Sequence, residues 1–115
     1  MSSEPPSVAE LGARSADRAA ALARAREEVE QLRGVAASDG GWAEAEVDGH
    51  GRLTGLWLAP GAARLEPAEL AGHVVAAAGA AAARAAQRRE AVLALAVGDA
   101  LADACDRLVG RPPRA

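Results

Sequence analysis

The spacing of apolar residues changes twice along the chain. From Val8 to Arg33 there is no Pro, and the one Gly is Gly12. Val8, Leu11, Leu22, Val29 and Leu32 fall on the two apolar positions of a seven-residue repeat, and Ser15, Arg18 and Ala25 fill the remaining ones. That spacing predicts one long amphipathic helix with a weak middle. Pro5, Pro6 and Ser7 open it, Glu10 stands in its first turn, and Gly34 is its expected stop. At 1.5 Å per residue the helix spans roughly 40 Å, more than a compact domain of this size needs.

The period then shortens to two. Val35 to Gly41 is rich in small residues and reads as a loop or a weak edge strand. From Trp42 to Asp48 the residues alternate, with Ala43, Ala45 and Val47 on one face and Trp42, Glu44, Glu46 and Asp48 on the other. Gly49-His50-Gly51 turns the chain, and Arg52 to Leu58 returns. Leu56 and Leu58 are expected to face the core, which puts Trp57 on the outer face beside Trp42. Pro60 and Gly61 end the hairpin.

A helical period resumes at Glu66-Pro67. Leu70, Val74, Ala77, Ala78 and Ala81 make a narrow, shallow stripe. From Ala91 a stronger one follows in Leu93, Val97, Leu101, Ala104 and Leu108, with Gly98 expected to kink or divide the helix. The fold class is α+β: a long helix, a small antiparallel sheet of two to three strands, and a long helix. The expected division is a disordered start at 1–7, a domain at 8–90, a helical extension at 91–109 and a tail at 110–115.

Composition adds a partner to this picture. Half of the 115 residues are apolar, but most of those are Ala; there is no Phe or Tyr, and there are two Trp. At roughly 25 cal/mol per Å² such a core is thin for one small chain, so a homodimer is expected. The net charge is −3, and all 13 basic residues are Arg. The sign varies along the chain: acids outnumber Arg by five to two over residues 35–66, whereas residues 67–115 carry six Arg and five acids. A strong nonspecific polycation is thereby excluded, but a local basic patch is allowed. Cys105 is the one cysteine, so no internal disulfide forms, and a cytosolic setting is expected. There is no charged start followed by an apolar run, hence no signal peptide is expected, and no window is apolar enough to span a membrane.

The pieces AEAEVDGHGRLTGLWLAP and LEPAELAGHVVAAAGAAAARAA, preceded by EEVEQLRG, resemble the YbaB/EbfC family of small nucleoid-associated proteins, in its Ala/Arg-rich actinobacterial branch. The likeness covers about Glu27 to Arg89. It implies an α-β-β-β-α fold, a tweezer-shaped homodimer, and duplex DNA binding by the helices with little sequence preference. The chain departs from the family pattern at Ala59, where an Asp is usual, in its lack of Lys, and in the apolar stripe beyond Ala91. Some relatives in that branch are encoded near type VII secretion components, which keeps open a second reading: a protein-interaction or scaffold module on the same fold.

The candidate phosphate contacts are Arg84, Arg88 and Arg89, which the spacing puts on one helix face, and Arg14, Arg18, Arg24 and Arg26. The latter four interleave with Asp17, Glu27, Glu28 and Glu30, which can neutralise them within the helix. No aromatic residue stands beside any of them for base stacking. Trp42, Trp57, Leu56, Leu58, Leu93, Val97 and Leu101 are the candidates for a dimer or partner interface. His50 and His73 are not spaced as a metal pair, and Glu44, Glu46 and Asp48 have no nucleophile or base with them. Gly49, Gly51 and Gly55 do not precede a helix, so they make no phosphate-binding loop. No catalytic activity, metal or cofactor is expected, and the expected setting is the cytoplasmic nucleoid.

Overall fold

The computed structural model describes residues 7–109. Helix α1 (Val8–Gln31) leads into strands β1 (Arg33–Ala37), β2 (Ala43–Asp48) and β3 (Leu53–Leu58), and helix α2 (Pro67–Val109) follows. Short 3-10 turns lie at Asp39–Gly41 and Ala62–Arg64. The strands form one antiparallel sheet with β2 in the centre. The segment read as a loop or weak strand is therefore the third strand, and the α+β class holds.

A capping box starts α1. Ser7 Oγ accepts the Glu10 N–H at 3.1 Å, and Glu10 Oε2 accepts the Ser7 N–H at 3.3 Å. Such a cap contributes about 1 kcal/mol. The helix ends at Gln31, and Leu32 is already extended. Gly34 is not the stop that the spacing suggested. It lies inside β1, where an added Cβ would run into the Ala81 carbonyl oxygen and lie 2.9 Å from the Ala85 nitrogen. The glycine is there because α2 touches β1 backbone to backbone.

That approach explains the alanine-rich composition. Ala43, Ala45 and Val47 line one face of β2, Ala36 joins them from β1, and Ala77, Ala81 and Ala85 descend from α2; all are buried. Leu70, Val74 and Ala78 flank this row half-buried. Small side chains at i, i+4 and i+8 bring the helix axis close to the sheet. Few of them bury much apolar area, however, and the largest fully buried side chain is Val47.

Helix α2 packs on β1 and β2, and β3 extends beyond it. Leu58 and Leu56 pair with Ala43 and Ala45, so they share the helix-facing side as expected. They are not core, however: they remain 48% and 39% exposed. A bulge at Thr54 separates the pairs Glu46–Gly55 and Val47–Leu53. Trp57, opposite Glu44, lies over Gly55 on the outer face and is half exposed. Trp42 does not join it there. β2 begins at Ala43, and Trp42 closes the 3-10 turn with helical backbone angles. The alternation thus fails at its first residue, and the Trp42 ring turns toward α2, 6.4 Å from the ring of His73.

Helix α2 runs for 43 residues and passes through Gly98 uninterrupted, so the expected kink or division is absent. Beyond the sheet α2 packs on α1, where half-buried Val92, Ala96 and Ala100 line shallow grooves with Ala21 and Ala25. The two helices form an arm, and the molecule measures 79 × 29 × 17 Å. On α1 the expected positions Ala25 and Val29 are buried, whereas on α2 the half-buried row sits one position away from the row with the largest side chains. Leu22, expected at the seam, is exposed, as are Leu93, Val97 and Leu101.

Candidate nucleic-acid interface

The ladder between β1 and β2 fixes which backbone groups the sheet edge presents. The Ser38 N–H donates to the Ala43 carbonyl at 2.8 Å, so residues 34, 36 and 38 bond to β2. The N–H and C=O groups of Arg33, Val35 and Ala37 consequently point away from the sheet. Two arginines of α2 reach these carbonyls. Arg84 Nη1 donates to Val35 O at 2.7 Å, and Arg88 Nη1 donates to Arg33 O at 2.9 Å. The periods match: two residues of strand advance roughly 6.8 Å, and one four-residue step of helix advances about 6 Å.

Arg89 does not belong with them. Its Nη1 donates to Gly49 O at 2.9 Å, in the turn between β2 and β3, and its side chain is half-buried. Arg89 thus continues the row of Ala77, Ala81 and Ala85, while Arg84 and Arg88 lie one position to its side. Arg33 completes the edge group in its place. Its Nη1 bonds the Glu30 and Leu32 carbonyls at 3.2 and 2.8 Å, and its Nε lies 3.7 Å from Glu46. Sequence reasoning passed over Arg33. The signal it carried is a cation just past the last helical turn, where the free carbonyls gather.

On α1, Arg18 pairs with Asp103 of α2 at 3.3 Å and touches Ser15 Oγ at 3.2 Å. Its partner thus comes from the opposite helix rather than from within α1. Asp17 and Asp99 line the same shallow groove. Arg24 and Arg26 are exposed and hold no ion pair among the described residues. The side chain of Arg14 lies outside the described residues. The structure therefore gathers Arg33, Arg84 and Arg88 at the β1 edge. It leaves Arg24 and Arg26 apart on α1 and surrounds Arg18 with acids.

The hairpin tip is built around Asp48. Its Oδ1 accepts the N–H groups of His50 and Arg52, both at 2.9 Å. Gly49 sits against the Val29 carbonyl, where a Cβ has no room. His50 Nε2 meets Glu30 Oε1 at 3.0 Å, tying the tip to the end of α1. The N–H of Arg52 is the largest cause that holds the Asp48 carboxyl below its ordinary value of 3.8; desolvation opposes it, and the His50 N–H adds a further lowering. A depressed folded pKa means that the contribution is present above the unfolded pKa and fades as pH falls through the folded one. Thermal melts from pH 7 to pH 3 should show the wild type losing stability below about pH 4 more steeply than Asp48→Asn, which keeps an acceptor oxygen without the charge.

Of the expected interface residues, Leu56 and Leu58 share the helix-facing side of β3 with Trp57 on its other face, Leu93, Val97 and Leu101 lie exposed on the arm, and Trp42 is turned inward against α2. His73 Nδ1 lies 3.1 Å from Ser38 Oγ, which itself accepts the Ala43 N–H at 3.1 Å. Among the described residues, no three His, Cys, Asp or Glu side chains group as metal ligands, and no helix is long and apolar enough to cross a membrane.

A row of exposed guanidinium groups on a rigid edge suits an anion better than any reacting substrate. Comparison with curated proteins returns no match. The family model of the YbaB/EbfC DNA-binding family matches residues 7–101, from the cap of α1 through the sheet and into the arm. The chain belongs to the YbaB/EbfC DNA-binding family.

Proposed function

We propose that this chain is a nucleoid-associated protein of the cytoplasm that binds duplex DNA as a homodimer, through phosphate contacts and with little sequence preference. The observation that carries this reading is the row Arg33, Arg84 and Arg88 at the β1 edge, in a member of a DNA-binding family. Each guanidinium of α2 uses one of its five N–H groups on a carbonyl, and its charge stays at the exposed edge. Contacts made to phosphate oxygens position the duplex and carry no sequence information. The uncovered leucines of β3 support the dimer, because an exposed apolar row on a free strand edge is what a second copy would bury. The reading is of a binding protein without a reaction or cofactor.

The test is fluorescence anisotropy of a labelled random-sequence duplex across a salt series. Binding should weaken with salt by about 0.9 in slope per phosphate neutralised. Replacing Arg84 and Arg88 with Ala should flatten the slope by about 2 per protomer, whereas Arg89→Ala should leave it nearly unchanged. Unchanged slopes for the first two would remove the β1 edge from the proposal, and absence of binding at low salt would remove DNA.

One observation favours the second reading, a scaffold that holds a protein partner. Leu93, Val97 and Leu101 are exposed along the arm because α2 turns a different row toward α1. Cutting the chain after Glu90 would strip α1 of its packing surface. Val97→Ser with Leu101→Ser is the cleaner probe, since it removes the apolar row and keeps the arm.

A further inference from the structure

The two edges of the sheet are treated differently. Among the described residues, α2 packs mainly on β1 and β2 and leaves β3 at the far side of the sheet. On β1 two of the three outward carbonyls, those of Arg33 and Val35, already have a donor from α2. The third belongs to Ala37. The helix position one step further back from Arg84 is Ala80, which lines a cleft together with Ala37 and has no donor to give.

We propose that Arg84 and Arg88 close the β1 edge against strand addition, and that the partner they exclude is β1 of a second copy. An unpaired edge is a template for any extended chain, and a charged side chain laid across it is a recognised block. Here the block is stronger than charge alone, because the guanidinium groups occupy the acceptors that an incoming strand would need. The edge would otherwise suit itself. Antiparallel pairing centred on Val35 puts Val35 against its copy and Arg33 against the copy's Ala37. No like charges meet, and the β-branched pair is favourable. Sheet growth is thus confined to β3, and assembly stops at a closed pair instead of running on as a ribbon. This role is separate from phosphate contact and is read without DNA.

The experiment is sedimentation velocity on the DNA-free protein and on Arg84→Met/Arg88→Met, which keeps the aliphatic stems and removes the donors. The variant is expected to sediment with at least twice the mass of the unaltered protein at equal concentration. Adding Val35→Pro should restore the original mass. The Val35 N–H points outward, so proline there breaks no bond to β2 but blocks the edge. Circular dichroism checks that each variant keeps its helix content. If the double variant unfolds, the single variants Arg84→Met and Arg88→Met, each uncovering one carbonyl, replace it and should show a smaller mass shift that Val35→Pro also reverses. An unchanged mass in the folded variants, or a larger mass that Val35→Pro leaves in place, overturns the proposal.

Discussion

Gly34→Val is expected to cost about 3 kcal/mol or more, a large share of the roughly 5–15 kcal/mol that holds a domain of this size together. The new side chain would meet the Ala81 carbonyl and the Ala85 nitrogen, both backbone atoms of α2. Side chains can rotate out of a clash, but a helix backbone can only lift as a whole. Lifting α2 would open the row of Ala77, Ala81 and Ala85 over the full width of β1 and β2. The same helix supplies an internal control. Gly79 has nothing within 4 Å of where a Cβ would stand. Gly79→Ala should therefore gain up to about 1 kcal/mol from helix propensity. Urea denaturation followed by circular dichroism reads both. A small and similar effect at the two positions would mean that α2 and β1 do not touch at this distance.

The second large effect concerns assembly. Leu56→Asp with Leu58→Asp should convert the proposed dimer to a monomer while leaving the fold intact, because both side chains are largely exposed within one chain. Charges in a row that a second copy must bury are costly, since each loses its hydration without a partner. Halving the number of phosphate contacts should halve the salt slope of DNA binding and weaken it by about tenfold or more at moderate salt. Light scattering and anisotropy on the same preparation separate the outcomes. A variant that remains dimeric would place the interface elsewhere, with the arm leucines as the next surface to alter.

Much of this architecture was legible in the sequence because it rests on period. The alternation of Ala43, Ala45 and Val47 and the helical row of Ala77 and Ala81 each specify a face without tertiary information. The capping pair Ser7 and Glu10 likewise acts within a few residues. What escaped was decided by close approach between distant segments. Gly34 reads as a helix stop until the Ala81 backbone is seen above it. Arg84, Arg88 and Arg89 share a face by spacing, yet the strand beneath separates them, two to the edge and one to the hairpin tip. Arg18 has acidic neighbours within α1 but takes its partner from the far end of α2. The heptad positions were misjudged where alanine competes with leucine. Two helices that pack closely choose the small residues and leave the larger ones outside.

The absence of a joint in α2 has a mechanical consequence. The helix that roofs the sheet is the same rigid body that forms the arm, so the arm cannot swing on its own. About 30 Å of helix separates Ala85, the last buried residue of the roof, from Cys105. In the proposed dimer, a 10° rotation of one subunit against the other would carry the outer end of its arm through about 5 Å. The arms of that proposed dimer would act as pointers that magnify small adjustments at the subunit contact. Cys105, the sole cysteine and exposed, places one natural attachment point on each pointer. The distance between two labels there, with and without duplex, would report how the pair adjusts its grip.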